Sequence, residues 1–192
     1  MGGLSAFVAV LVSCSGDNPR IPEFEGSSAV ALGEVPAGPY AWYGHAGLCI
    51  DRPGSIDIVD ITLQYSEGGL EIDGYAVSPS DAVDRGVRGW ETRGPDAKTI
   101  WDLGYKPDSL TVNTVCHDHQ GTAGGDEAAA MSLGIQFTKP TDETARAAGI
   151  EVHYRSGRRT YQHVIQVEIV LCTSTQEWEP ACDPRDPSDF GW

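Results

Sequence analysis

Residues 150–171 read IEVHYRSGRRTYQHVIQVEIVL, and this stretch decides the fold. Ile150, Val152 and Tyr154 alternate with Glu151, His153 and Arg155; Ser156 and Gly157 supply a turn; Tyr161, His163, Ile165, Val167, Ile169 and Leu171 then share one face of a longer run. Period-two alternation on both sides of a glycine turn predicts a β-hairpin with one buried face. Its other face carries Gln162, Gln166 and Glu168. His163, lying between Tyr161 and Ile165, reads as a core histidine with one ring nitrogen hydrogen-bonded.

The same alternation recurs upstream. In residues 55–65 Ile56 and Ile58 share one face while Val59, Ile61 and Leu63 share the other, a change of phase that a β-bulge near Ile58 explains. Glu67-Gly68-Gly69 then leads to a second alternating run, Leu70 to Val77, so residues 55–77 read as another hairpin. Leu110, Val112 and Cys116 mark one further strand, and Met131, Leu133, Ile135 and Phe137 another. Residues 141–149, TDETARAAG, have a helix cap, early acids and a closing glycine, and predict one or two helical turns. Six or so strands with little helix give an all-β domain, an antiparallel β-sandwich of immunoglobulin-like architecture, with a small β-barrel as the alternative.

The start of the chain speaks to compartment. Leu4 to Val12 is an uncharged apolar run, too short for a bilayer core that needs roughly 20 apolar residues. It ends in Leu11-Val12-Ser13-Cys14, which resembles the lipobox of bacterial lipoprotein signal peptides. That resemblance implies acylation of Cys14, cleavage just before it and a membrane-tethered extracytoplasmic protein. The chain departs from the pattern in one respect, since no basic residue precedes Arg20. N-myristoylation fits worse, because its pattern asks for Ser or Thr where Ala6 stands. The segment after Cys14 is rich in Gly, Pro, Ser and Ala, which divides the chain into a signal peptide (1–13), a tether (14–46), a sandwich domain (47–172) and an acidic tail (173–192).

Cys49, Cys116, Cys172 and Cys182 form an even set without a close CxxC pair, which suits disulfides in an oxidising compartment better than structural zinc. Of the three connectivities, strands alternating in direction like a meander would favour Cys49 with Cys172 and Cys116 with Cys182. The net charge of -15 predicts a surface that repels nucleic acid and anionic lipid. Leu48-Cys49-Ile50-Asp51-Arg52-Pro53-Gly54, Tyr154-Arg155-Ser156-Gly157-Arg158 and Val170-Leu171-Cys172 together resemble a group of uncharacterised exported actinobacterial proteins. The likeness spans about residues 47–172 and implies an extracytoplasmic β domain without a known activity.

No nucleophile elbow, P-loop, dinucleotide fingerprint or HExxH pattern is present, so no catalytic residue and no cofactor is nominated. Cys116-His117-Asp118-His119 is the densest set of ligand types, with His45, His153 or His163 as further donors, and it underlies an alternative reading as a metal-handling protein or envelope hydrolase. The stretch 79–107 is far longer than an ordinary strand connection and gathers Arg85, Arg88, Trp90 and Arg93, residue types enriched in binding hot spots. Residues 100–103 can instead fold back as a turn covering the sandwich. The leading expectation is a lipid-anchored, non-catalytic module whose 79–107 loop binds an envelope protein or cell-wall component.

Overall fold

The computed structural model describes residues 18–23, 26–79, 99–116, 131–173 and 182–192. Its strands are β1 (Ser28–Leu32), β2 (Gly38–Leu48), β3 (Ile56–Glu67), β4 (Glu71–Pro79), β5 (Thr111–Val112), β6 (Met131–Lys139), β7 (Ala145–Ser156) and β8 (Arg159–Leu171). They build two sheets, ordered β1-β8-β7-β3-β5 and β2-β6-β4, that do not close into a barrel. Every pairing is antiparallel except β1 with β8. Ile58, Ile61, Ile150, Val152 and Ile169 of the larger sheet meet Tyr40, Trp42, Val77, Ile135 and Phe137 of the smaller one in a common core. This is the expected all-β sandwich, with one parallel edge strand added.

The β7–β8 hairpin and the position of the β3 bulge stand as read: Tyr154 faces Tyr161, and the β3–β7 register shifts between Ile58 and Asp60; Val59, read on one face with Ile61 and Leu63, instead lies in the bulge and is exposed. Four other expectations need correction. The first is the tether, since residues 14–46 contain β1 and most of β2. Val30 lies opposite Ile169, Tyr40 and Trp42 fill the core, and Pro39 is accommodated because β2 is an edge strand.

The second correction concerns residues 55–77, whose two strands belong to different sheets. Gly68 and Gly69, at φ 69° and 72°, turn the chain from β3 in one sheet to β4 in the other. Alternation marks a half-buried strand but does not name its partner. Third, residues 145–149 are strand and not helix, because β7 is hydrogen-bonded on both sides, to β3 and to β8, and that pairing overrides local propensity. Gly149, at φ 66°, takes up a bulge against β8 rather than capping a helix.

Fourth, the disulfides join Cys49 to Cys116 and Cys172 to Cys182, not Cys49 to Cys172. The meander assumption fails because β4 and β5 run in the same direction: each is antiparallel to a strand, β6 or β3, that starts at the β7–β8 turn end of the sandwich. Cys49 and Cys116 therefore meet at the end that holds the β7–β8 turn, where Ile50 bridges Val115 in parallel. Cys172 and Cys182 meet at the opposite end, 5.6 Å apart between Cα atoms.

Both outer faces carry cover. Residues 99–105 fold back over the smaller sheet, as the alternative reading of 100–103 had it. Ile100 and Tyr105 pack on Ala41 and Ala76, and the Ile100 N–H donates to Gln136 Oε1 at 3.1 Å. Gly134 makes room for Tyr105, because a Cβ there would stand 2.7 Å from its ring. On the larger sheet, Arg146 and Glu168 point away from the core yet are buried, at 4% and 1% exposure, under the tail. Glu168 pairs with the Arg146 guanidinium through Oε1 and accepts the Arg185 backbone N–H through Oε2 at 2.7 Å. Arg185 in turn donates to the Tyr65 hydroxyl and to Glu67, both at 2.7 Å, while Phe190 of the 3₁₀ turn Pro187–Phe190 packs on Tyr65.

This network generates a stability prediction. Arg146→Met strands the Glu168 carboxylate in a buried site and should cost about 3–5 kcal/mol. The double substitution Arg146→Met with Glu168→Met removes both charges and should recover most of that loss. Urea unfolding of the two variants checks it; a double variant as unstable as the single one would refute the ion-pair account.

Candidate functional site

The β7–β8 turn stands at one end of the larger sheet, and several segments converge there. It is a tight turn closed by the Ser156–Arg159 pair, with Gly157 at φ 59°, so Arg155, Arg158 and Arg159 project from its sides into solvent. The β2–β3 connection arrives alongside, carrying Asp51 and Arg52. Residues 18–20 lie across the same end: a Cβ on Gly157 would come within 3.0 Å of Asn18 Oδ1, and one on Gly54 within 2.9 Å of Pro19.

Several polar contacts hold this N-terminal piece, among them the Asp51 N–H donating to the Arg20 carbonyl at 2.9 Å. The Arg20 backbone N–H donates to Asp51 Oδ1 at 2.8 Å, and the Ile21 N–H donates to the Tyr154 hydroxyl at 3.3 Å. The Arg20 guanidinium lies 4.7 Å from the centroid of the Tyr161 ring, which itself stacks on Tyr154 at 5.6 Å. Such a cation–π contact contributes about 0.5–1 kcal/mol at an exposed site. A hydrogen bond from the Arg52 side chain holds the Asp51 carboxyl below its ordinary pKa, against a smaller opposing effect of desolvation. Burial pushes the Tyr154 phenol up, so it stays protonated at any physiological pH.

The result is a cluster of exposed arginines, Arg20, Arg52, Arg155, Arg158 and Arg159, on a strongly acidic protein. Arg52 pairs with Asp51 at 2.7 Å and Arg155 with Asp57 at 3.2 Å. Five guanidinium groups against two carboxylates leave the described surface of this end net positive. Arginine forks suit carboxylate, phosphate and other planar anions. Nothing in this arrangement supplies a nucleophile paired with a base.

The residues nominated from sequence fall elsewhere. Cys14, Arg85, Arg88, Trp90, Arg93, His117, Asp118 and His119 lie outside the described residues. Pro79, from which the 80–98 segment departs, pairs with Met131 at this same end. Cys116 is disulfide-bonded and so is withdrawn from the alternative metal set. His163 stands opposite core residue Val152 while the adjacent His153 faces the other side of the sheet, so these two histidines do not share a ligand. Burial pushes His163 below its usual pKa, with Glu23 opposing, which fits the core-histidine reading. Among the described residues no group of three potential metal ligands converges. Buried Lys139, at the opposite end, donates to the Val35 and Asp142 carbonyls at 2.5 and 3.3 Å and serves the fold.

Sequence reasoning missed the arginine cluster because its members are scattered between positions 20 and 159. The one local signal was the turn sequence Ser156-Gly157-Arg158-Arg159, which set two arginines at a hairpin tip. Compared with protein-family models, curated proteins and solved structures, the chain matches none.

If Asp51 and Tyr154 clamp the N-terminal piece, trypsin should cut after Arg20 more readily when either clamp is removed. Each hydrogen bond is worth about 1 kcal/mol, so Asp51→Ala and Tyr154→Phe should each speed that cut about fivefold. Because the Asp51 pKa is depressed on folding, its hold is complete above the ordinary carboxylate pKa and fades as the pH falls through the lowered value. Equal cleavage rates in parent and variants would show that the clamp carries no energy.

Proposed function

We propose that this chain is a lipid-anchored extracytoplasmic protein whose sandwich serves the cell envelope as a non-catalytic interaction module. The observation that carries the reading is the fate of the cysteines. The four that follow Cys14 are bonded to one another, so Cys14 has no intramolecular thiol partner left and stands at the end of a lipobox. Disulfides at both ends of the domain suit an oxidising compartment. The 80–98 segment, with Arg85, Arg88, Trp90 and Arg93, remains the proposed surface for an envelope protein or cell-wall partner, and it departs from the arginine-bearing end.

The reading predicts that Cys14→Ala abolishes incorporation of labelled fatty acid and moves the protein from the detergent phase to the aqueous phase of a cell extract. A variant that still partitions with membranes and is processed like the parent would overturn it.

A further inference from the structure

We infer that the arginine-bearing end of the sandwich is a docking face for an anionic phospholipid bilayer, which stands the domain upright on the membrane. The inference deepens the anchoring reading and rests on it for the placement of Cys14. Four peptide units separate Cys14 from Asn18, a reach of at most about 14 Å. Asn18 is seated on Gly157 at the hairpin tip, so an acyl chain on Cys14 brings this end, and no other, to the headgroups.

Charge points the same way. Arg20, Arg52, Arg155, Arg158 and Arg159 face Asp51 and Asp57 here. The 80–98 segment is balanced at four acids and four bases, and 117–130 adds Asp118, Asp126 and Glu127. With Asp17 and both segments included this end sums to about -1, so nearly all of the net charge of -15 belongs to the rest of the chain. β8, with 13 residues at about 3.3 Å each, places the opposite end roughly 40 Å away. That is several Debye lengths at physiological salt, where the length is about 8 Å, so repulsion from the far end is screened while the arginines act at contact. Juxtamembrane arginines gain from an anionic surface in this way.

The test couples the full chain through its free Cys14 thiol to a maleimide lipid, in vesicles of phosphatidylcholine alone or with one-third phosphatidylglycerol. Amide hydrogen exchange is then read at residues 51–55 and 156–159 and, as the far-end reference, at 187–192. The docking face predicts exchange at the first two sites slowed on the order of tenfold by phosphatidylglycerol, no change at the third, and loss of the effect in molar salt. Replacing Arg155, Arg158 and Arg159 by Gln should erase the slowing while leaving exchange on phosphatidylcholine as in the parent, which shows the variant folded. Equal exchange on both surfaces, slowing at 187–192 instead, or protection that survives the three substitutions would each overturn the inference. The chemical tether stands in for the acyl group, so this outcome is separate from whether Cys14 is acylated in cells.

Discussion

In the β7–β8 hairpin Tyr154 stands opposite Tyr161 and Ile150 opposite Ile165, and this register constrains almost everything else in the molecule. Because side chains alternate across a pleated sheet, the pairing that turns Ile150, Val152 and Tyr154 to the core also sends Arg155 outward at one end, while Arg159, opposite Ser156, is exposed by its place at the tip. At the other end it sends Arg146 and Glu168 outward. A one-residue slip would exchange the two faces and bury Glu151, His153 and Arg155 in place of the aliphatic residues. The bulge at Gly149 lets the inward sets on either side of it, Ala145 and Ala147 before and Ile150 and Val152 after, reach one core.

The two ends of the sandwich are built by different chemistry. At the tail end a buried ion pair is satisfied only because the chain returns after Cys172 and lays Arg185 and Phe190 over it. Cys172–Cys182 keeps that return short. At the hairpin end the holding contacts are individually weak: a backbone bond and a backbone-to-carboxylate bond between Arg20 and Asp51, a buried bond to the Tyr154 phenol and a cation–π contact. Cys49–Cys116 and the Ile50–Val115 bridge stiffen the base from which these groups project. Covalent and buried interactions thus fix the scaffold.

Much of this was legible in the sequence. Periodicity identified β8, β6, most of β3 and the Ile150–Tyr154 part of β7, because the buried face of a strand is written in neighbouring positions; it misplaced Val59, which is exposed. The bulge near Ile58 was readable for the same reason, as was the cysteine count that points to disulfides. Strand partners, cysteine pairing and the arginine cluster were not. Each depends on which distant segments come together, and alternation carries no information about that. Gly68-Gly69 reads as a hairpin turn whether it joins neighbours in one sheet or crosses between two. Ala145 to Gly149 reads as helix until β3 and β8 offer hydrogen bonds on both sides. The sequence by itself determined which residues of the alternating strands face inward, Val59 apart; only the tertiary structure decided which ends of the chain meet, because end-to-end geometry is set by the sum of all strand directions and not by any local pattern.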